Sequence, residues 1–484
     1  NPSEECGVRV AASIRHHRFG YLGVDIAGGG RSAVQLDVQI VGFGPPWQIT
    51  HFLKAGKASV QQIVQFAPES IPILWVQMVA FFGHYVCLFA RDVWTSLRRT
   101  VQVQAIKGVP MKIEPFGVEQ WMNAWETKCE LNLAETCVAS LTLAELMQMA
   151  GTTQQMPSDL AALHMTYGEI RGSKRLRGLV AGMFADQNPD NVLITHGTIG
   201  ANHMVYQALV EEGDHVVAVT PTYQQHTAIP RSLGADVTEI ALSATQNWMP
   251  DWDAVAAAVT PSTKVIALTN PNNPTGALIE RDGLARVAQI AREVGAWVLC
   301  DEVYRGTEQG DPVPSIVDVY DQGISTGSTS KAFSLAGLRL GWIVGPHDLL
   351  DACEIHRDYT TISVGIVDDY FAAMALEAKD VLLARSRAIT RRNLAVLADW
   401  VAGEAKASFV APRAGTTAFV ALDVALSSYD QCVALLKDTG VMFTPGSALG
   451  VEGYVRVGFA CAPEVLKEGL VRVSQWLANQ PATR

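Results

Sequence analysis

The sequence lacks paired cysteines of the kind that build metal sites and disulfide frameworks. Its eight cysteines are scattered and none belongs to a C-x-x-C motif; they stand at positions 6, 87, 129, 137, 300, 353, 432 and 461. This spacing argues against a zinc site and against a set of disulfides. The sequence therefore predicts no bound metal, and it indicates a reducing, cytoplasmic setting.

Positive charge is also in the minority. The chain carries 37 Lys and Arg against 48 Asp and Glu, a net charge of -11, which argues against a nucleic-acid partner. It has no Gly-Ser linker, heptad array or internal repeat either, so linker-joined, coiled-coil and repeat architectures are excluded. What remains is an ordinary globular protein, and 484 residues allow two or three domains with a sizeable core.

The first 110 residues lack the regular patterns of the rest. They carry ten Lys and Arg against six Asp and Glu, whereas residues 111–484 carry 27 against 42. Helix-like and strand-like stretches are short here and have no capping residues. One uncharged stretch, residues 71–90, is long enough to cross a bilayer, although Gln77 and His84 weaken that interpretation.

Three interpretations of residues 1–110 stay open. We favour an upstream translated extension, because Met111 begins Met-Lys-Ile-Glu-Pro-Phe and every enzyme-like motif lies beyond it. A membrane anchor and a soluble accessory region are the alternatives. The apolar stretch lies too far along the chain for an ordinary signal peptide, and we expect no membrane attachment.

From residue 111 onward, helix and strand patterns alternate. Thr142 followed by Glu145 predicts a capping box at a helix start. Short apolar strands are predicted at 191–195, 215–220, 236–240, 264–269 and 296–300, with helices at 198–211, 251–259 and 279–294 between them. This alternation predicts an α/β fold with a mainly parallel, doubly wound sheet.

Ligands of such sheets bind beyond the carboxyl ends of the strands, and two candidate groups follow early strands. Gly197 and Thr198 begin a helix after the first strand, where free backbone N–H groups favour a phosphate. A simple tight turn explains this pair equally well. Tyr223, after Pro221, is suited to lie against a planar ring, or else to pack in the core.

Two later strands end in more specific motifs. The segment Asn-Pro-Asn-Asn-Pro-Thr-Gly at 270–276 predicts a rigid turn that aims Asn273 at a ring oxygen, with a plain loop as the alternative. Asp301 ends an apolar strand, and a carboxylate there is costly to bury without a partner. A protonated pyridine nitrogen would be a suitable partner, with Tyr304 in reach of the oxygen beside an imine. The alternative is an acidic helix start.

A lysine lies between small hydroxyl residues in the segment Ser-Thr-Ser-Lys that ends at Lys331. A lysine that forms a Schiff base needs space around it, and small neighbours provide that space. Ser328, Ser330 and Arg339 supply the hydroxyls and the cation that suit a phosphate. A surface lysine in a polar turn is the alternative.

One arginine, Arg456, lies inside the apolar run Tyr-Val-Arg-Val-Gly-Phe at 454–459. Arginine is rarely buried without a partner, and its planar guanidinium binds a carboxylate through two parallel hydrogen bonds. The pattern therefore predicts a binding site for a substrate carboxylate. A structural ion pair is the alternative.

Taken together, these motifs make residues 111–484 resemble the fold type I pyridoxal-phosphate enzymes of the aspartate aminotransferase family. The residues that carry the resemblance are Asn273, Asp301, Tyr304, Lys331, Arg339 and Arg456. The resemblance implies pyridoxal phosphate as cofactor and transfer of the amino group of an L-amino acid to a 2-oxo acid. It also implies an N-terminal arm at 111–155, a large cofactor-binding domain at 156–370 and a smaller α+β C-terminal domain at 371–484.

The resemblance further implies a role for each residue. Lys331 holds the cofactor as a Schiff base and moves a proton, while Asp301 pairs with the pyridinium nitrogen. Asn273 and Tyr304 form hydrogen bonds with the phenolic oxygen, and Tyr223 stacks on the ring. The substrate is bound by Arg456 and Asn273. The phosphate is held by Gly197, Thr198, Ser328 and Arg339. Tyr167 matches the tyrosine that reaches the phosphate of a neighbouring subunit, which implies a homodimer with shared sites.

Two other functions stay open. The opening Glu-Pro-Phe-x-x-Glu-x-Trp and the segment Asn-Leu-Ala-Glu-Thr at 132–136 resemble the branch that contains capreomycidine synthase, so a pyridoxal-phosphate lyase or cyclase of specialised amino-acid metabolism is the first alternative. The second arginine that aspartate-specific members use for a distal carboxylate has no counterpart here. A transcription regulator is the second alternative, although no helix-turn-helix pattern is present in residues 1–110.

Overall fold

The computed structural model describes residues 113–481 and five strands nearer the start of the chain. Its residues divide into two units, Asn1–Pro110 and Met111–Arg484. In the first unit the strands pair antiparallel in chain order; they are β1 (Arg9–Ser13), β2 (Gly20–Ala27), β3 (Val34–Val41), β4 (Gln48–Ala55) and β5 (Ala58–Gln65).

This β meander was not predicted from the sequence, because we recognised only short strand-like stretches in the first unit. The strict alternation Val-Gln-Leu-Asp-Val-Gln-Ile in β3 is the signal that could have identified it. The apolar stretch at 71–90 lies outside the described residues. Among the helices that are described, none is long and apolar enough to cross a membrane.

The second unit begins with short elements that pack around the later sheets. The predicted capping box is present, since the side chain of Thr142 accepts from the N–H of Glu145 and the carboxylate of Glu145 accepts from the N–H of Thr142. The elements are α1 (Gly117–Trp125), β6 (Leu131–Asn132), α2 (Leu143–Met149), α3 (Met156–Ala162) and α4 (Lys174–Ala181).

A seven-stranded sheet forms the centre of the second unit, in the order β7-β13-β12-β11-β10-β8-β9. All neighbours pair parallel except β13, which runs antiparallel to both β12 and β7. The strands are β7 (Val192–Thr195), β8 (His215–Thr220), β9 (Asp236–Ala241), β10 (Thr263–Thr269), β11 (Trp297–Asp301), β12 (Gly323–Ser328) and β13 (Gly341–Val344).

Helices cover both faces of this sheet. Along β10, Ile266 and Leu268 face one buried cluster, whereas Val265 and Ala267 face another, as the two-residue period of a strand requires. The doubly wound, mainly parallel sheet predicted from the sequence is therefore confirmed. The covering helices are α5 (Gly197–Leu209), α6 (Gln225–Ser232), α7 (Trp252–Ala258), α8 (Arg281–Val294), α9 (His347–Asp358) and α10 (Ile366–Glu377).

The last hundred residues form a smaller α+β region, also as predicted. A 25-residue helix, α11 (Lys379–Gly403), leads into a four-stranded antiparallel sheet in the order β14-β15-β18-β17. The remaining elements are β14 (Ala407–Phe409), β15 (Thr417–Leu422), α12 (Ser428–Thr439), β16 (Val441–Met442), β17 (Thr444–Pro445), β18 (Tyr454–Gly458) and α13 (Pro463–Ala478). Residues 113–137 at the start of the second unit, which we call the N-terminal segment, join this region, because β6 pairs with β16.

Candidate active site

A cavity of about 330 Å³ lies where the carboxyl ends of the central strands, the N-terminal segment and β18 meet. It brings together ten of the residues singled out from the sequence: Thr198, Tyr223, Asn273, Asp301, Tyr304, Ser328, Ser330, Lys331, Arg339 and Arg456. Gly197 borders it, since a Cβ there would lie 3.1 Å from Nη2 of Arg339.

Asp301 is the last residue of β11, and its carboxylate is buried beneath the cavity. One carboxylate oxygen accepts from the side-chain amide of Asn202 at 2.9 Å, and the other accepts from the N–H of Val303 at 3.1 Å. Burial raises the pKa of Asp301 to about 6 even though both hydrogen bonds act in the opposite direction. The two hydrogen bonds therefore hold the carboxylate in place, but they do not offset the cost of burying its negative charge.

His226 is the nearest basic ring, and it does not supply the missing cation. Its Nε2 lies 3.9 Å from the carboxylate of Asp301 and has no hydrogen-bond partner among the described residues. Burial lowers the pKa of His226 to about 4, so the ring is neutral at pH 7. On its other side, Nδ1 lies 2.9 Å from the hydroxyl of Tyr206. A bound group with a positively charged ring nitrogen would complete the environment of Asp301.

Lys331 extends into the cavity from the turn after β12. Its amine donates to the hydroxyl of Thr136 at 2.6 Å and lies 3.5 Å from the sulfur of Cys137. Burial acts to lower the pKa of Lys331, but Tyr304, Cys137 and Glu135 outweigh it and the pKa lies above its ordinary value. The amine is thus directed by the N-terminal segment, which the sequence motif at 328–331 did not reveal.

The backbone just after β7 and just before β13 forms one end of the cavity. Gly197 begins α5 with φ 69°, and Arg339 has φ 52°, a left-handed conformation that is uncommon outside glycine. The buried hydroxyl of Thr198 has no hydrogen-bond partner in the part of the chain that is described. A Cβ at Gly341 would lie 2.4 Å from the carbonyl carbon of Gly197 and 2.7 Å from the nitrogen of Thr198. A helix start, an unpaired hydroxyl and a guanidinium together suit a phosphate.

Arg456 lies at the opposite end, in β18, with only 2 % of its surface exposed. Its guanidinium donates to Asn273 at 3.3 Å, to the carbonyl of Ala134 at 3.1 Å and to Thr444 at 3.2 Å, and its Nε has no partner. Burial lowers the pKa of Arg456. The ion pairs found among the described residues do not include this arginine, so the predicted alternative of a structural ion pair does not hold there.

Two aromatic side chains border the space between these ends. The ring of Tyr223 lies 4.6 Å from that of Phe116, and its hydroxyl donates to the carboxylate of Glu119. Burial raises the pKa of Tyr304, which remains protonated. Both rings and Asn273 line the cavity, which is the position that a planar ligand between Asp301 and Arg456 would need.

Other functional positions were missed from the sequence. Asn202 lies inside α5, and no local motif distinguishes it from a helix surface residue. Thr136 comes from a segment singled out only as a family resemblance. The same holds for Glu119 and Glu135, which also line the cavity, whereas Glu126, a third carboxylate of the lining, lies in neither of the segments singled out.

Tyr167 is the one predicted site residue that the structure does not place near the cavity. The residue is 67 % exposed, and among the described residues its one hydrogen bond is made by its backbone carbonyl, which accepts from the hydroxyl of Ser363. Its predicted role concerns a second subunit and stays a prediction. Within the described residues there is no group of three potential metal ligands.

Comparison with known proteins gives a consistent result. Residues 150–473 match the family model described as aminotransferase class I and II. A structure of a PLP-dependent aminotransferase from Streptococcus suis is 40% identical, with a TM-score of 0.75, and covers 77% of this chain and 100% of that one.

Two curated relatives differ in what their names describe. Capreomycidine synthase of Streptomyces vinaceus is 28% identical over 78% of this chain and 97% of its own length. An aspartate aminotransferase of Thermotoga maritima is also 28% identical, over 65% of this chain and 84% of its own length.

Proposed function

The chain belongs to the class I and II aminotransferase family, whose members use pyridoxal phosphate, and on that premise we propose that it transfers the amino group of an L-amino acid to a 2-oxo acid. One arrangement carries the proposal. A single cavity lies between the buried carboxylate of Asp301, whose raised pKa shows that it lacks a cationic partner, and the buried guanidinium of Arg456, whose Nε has no hydrogen-bond partner among the described residues. The amine of Lys331 lines the same cavity.

The residues of the cavity fit the cofactor. Asp301 would pair with the ring nitrogen, because its raised pKa marks a missing positive charge. Thr198, whose hydroxyl has no partner in the described structure, would bind the phosphate together with Gly197, Ser328 and Arg339. Asn273 and Tyr304 would bond the phenolic oxygen, and Tyr223 would cover the ring face.

The cofactor, when bound, supplies an electron sink for bond breaking at the substrate Cα. The protein's residues control what happens around it. The amine of Lys331 would hold the cofactor and would move a proton at Cα. The hydroxyl of Thr136 accepts a hydrogen bond from this amine at 2.6 Å and so orients it. Arg456 binds the α-carboxylate, which fixes the orientation of the bonds at Cα. Asp301 keeps the ring nitrogen protonated through its charge.

Further parts of the proposal concern organisation. We keep the domain boundary predicted from the sequence at 155/156. The boundary predicted at 370/371 falls inside α10, so we propose that the smaller domain begins with α11, after residue 378. We also propose a homodimer in which Tyr167 reaches the site of the neighbouring subunit, which accords with its high exposure in the single chain. A cytoplasmic location is the setting we propose for this enzyme.

A direct test maps the lysine and measures the reaction. Borohydride reduction of the pyridoxal-phosphate-loaded protein should fix the cofactor on Lys331, and Lys331→Ala should lose both the fixed absorbance and turnover. Mixing the wild-type protein with L-amino acids should convert the cofactor to its amine form, and 2-oxoglutarate should reverse the change. If the adduct maps to another lysine, or if no amino acid gives the reversible change, the proposal is wrong.

A pyridoxal-phosphate lyase or cyclase is the second candidate. It is favoured by the similarity to capreomycidine synthase, which extends over 97% of that protein's length. The two reactions differ in the fate of the amino group. An aminotransferase consumes a 2-oxo acid in step with its amino donor, whereas a cyclase converts a substrate that carries a leaving group without consuming any. Measuring 2-oxo acid consumption per turnover therefore separates them.

A further inference from the structure

The lining of the cavity holds more negative charge than the proposed reaction uses. Its charged residues are Glu119, Glu126, Glu135, Asp301, Lys331, Arg339 and Arg456. Asp301, Lys331 and Arg339 are assigned to the cofactor, and Arg456 to the substrate carboxylate. Three glutamates then remain without a role.

These glutamates come from one stretch of the N-terminal segment. Glu119 lies on α1, Glu126 begins the 3₁₀ turn that follows, and Glu135 comes shortly after β6. Burial raises the pKa of Glu126, and the charges of Glu135 and Glu119 raise it further. Glu126 is thus close enough to be repelled by both of the other carboxylates.

Two of these carboxylates accept hydrogen bonds from neighbouring groups. Glu119 accepts from the hydroxyl of Tyr223, and Glu135 accepts from the N–H groups of Thr136 and Cys137 at 2.6 and 2.8 Å. Burial acts to raise the pKa of Glu135, but the charge of Lys331 and the hydrogen bonds from Cys137 and Thr136 together outweigh it, and the pKa lies below its ordinary value. Glu135 is therefore ionised at pH 7.

In the described part of the chain, Lys331 is a cation whose charge acts to lower the pKa of Glu135, and its amine is already assigned to the cofactor. None of the three glutamates takes part in the ion pairs found there. Arg456, which lines the same cavity, is almost fully buried and has an unpartnered Nε. The cavity therefore presents a guanidinium and three carboxylates that take part in no ion pair among the described residues.

We propose that this site is selective for L-amino acids with a positively charged side chain, whose distal cation is bound by Glu119, Glu126 and Glu135 while Arg456 binds the α-carboxylate. The proposal rests on the function proposed above and specifies its substrate class. A ligand with a carboxylate and a distal cation complements both unpaired groups at once. A dicarboxylic amino acid would instead place its second carboxylate against three others, which is unfavourable by like-charge repulsion.

A binding experiment tests this selectivity without turnover. The probes are 5-guanidinopentanoic acid and 5-ureidopentanoic acid, which have nearly the same shape, differ in charge and lack the α-amino group needed to react. Calorimetry on the full-length, pyridoxal-phosphate-loaded protein should give at least about tenfold tighter binding of the guanidino acid. Equal binding, or tighter binding of hexanedioic acid, would overturn the proposal.

Variants locate the effect. Glu126→Gln should reduce the guanidino-to-ureido ratio several-fold, and the triple variant with Glu119→Gln and Glu135→Gln should bring it close to one. The amide can still accept the hydrogen bonds made by Tyr223, Thr136 and Cys137. Glu114→Gln is the matched control, because it removes the same charge from the same segment outside the cavity lining, and the ratio should stay at its wild-type value.

The outcomes distinguish this proposal from the proposed function. If L-arginine and L-citrulline both convert the cofactor to its amine form but the two probes bind equally, the aminotransferase function stands and the selectivity is wrong. If the guanidino acid binds more tightly but no amino acid converts the cofactor, the charge selectivity stands and the reaction is wrong. A ratio that survives in the triple variant would assign the selectivity to other residues and so contradict the site.

Discussion

At the scale of single residues, the buried carboxyl of Asp301 should make the stability of the cofactor-free chain depend on pH. Its folded pKa of about 6 lies above the ordinary value of 3.8 for an aspartate, so the folded state binds the proton more tightly than the unfolded state. The contribution of this group to stability is therefore present at low pH and is lost as pH rises through the window between the two values.

Asp301→Asn removes this titration while keeping the shape. Relative to the wild type, the cofactor-free variant should gain stability between about pH 4 and pH 6, reaching on the order of 3 kcal/mol above that window. Denaturant unfolding across the pH range measures the difference. Asp311→Asn, at an exposed aspartate, is the control, and a pH-independent difference for Asp301→Asn would refute the prediction.

Arg456→Lys tests the carboxylate site. Lysine keeps the charge but cannot make two parallel hydrogen bonds or reach Asn273, Ala134 and Thr444 at once. We expect a loss of roughly a hundredfold in kcat/KM, on the order of 3 kcal/mol, for the best L-amino acid. The absorbance of the bound cofactor should not change. Wild-type kcat/KM in this variant would mean that Arg456 has a structural role.

Individual site residues were predictable where one short motif carries them. Asp301 follows an apolar strand, Lys331 stands between hydroxyls, and Arg456 interrupts an apolar run, so the local sequence suffices. Asn202 and Thr136 could not be found this way. Asn202 forms a hydrogen bond with Asp301, which lies 99 residues later in the sequence, and Thr136 forms one with Lys331, which lies 195 residues later. Only tertiary packing determines such contacts.

At the scale of elements, the close contact between β18 and the N-terminal segment gives a third prediction. A Cβ at Gly458 would lie 1.8 Å from the carbonyl oxygen of Glu135, and the N–H of Gly458 donates to Leu133 at 2.7 Å. Gly458→Ala must therefore push the segment at 133–137 away from β18, which should cost roughly 1–3 kcal/mol of folding stability.

The same substitution should affect the site more than the fold. Thr136, which receives the hydrogen bond from Lys331, lies in the displaced segment, so the cofactor spectrum and kcat should change even where the protein remains folded. Gly403→Ala is the matched control, because a Cβ there meets no atom within 4 Å. Unchanged stability and spectrum for Gly458→Ala would contradict the geometry.

The five strands and three helices predicted between residues 191 and 300 have ends within two residues of the observed ones. Two other elements of the second unit, β13 and α6, show why some were missed. β13 has four residues, too few for a periodic pattern, and its antiparallel direction depends on its neighbours. Helix α6 contains Pro230, which normally argues against a helix. Both lie beside the cavity, where packing against the sheet outweighs local preference.

At the scale of the whole molecule, the division into two units predicts that the second works alone. Residues 111–484 contain the central sheet, the smaller sheet and every residue that lines the cavity. A chain that begins at Met111 should load pyridoxal phosphate to the same stoichiometry and retain kcat/KM within about twofold of the full chain. Comparing the two proteins by absorbance, thermal unfolding and rate tests this. Failure of the shorter chain to fold would give residues 1–110 a structural role.

The glycine contacts at the end of the cavity near Arg339 also limit how this protein can be engineered. Gly341 lies against the backbone of Gly197 and Thr198, and Gly197 lies against Arg339, so these four positions pack as one unit. Randomising any one of them alone should give almost no active clones, and the effects of two changes should not add. A library that aims to alter substrate choice is therefore better directed at Glu119, Glu126 and Glu135, where side chains rather than backbone atoms line the cavity.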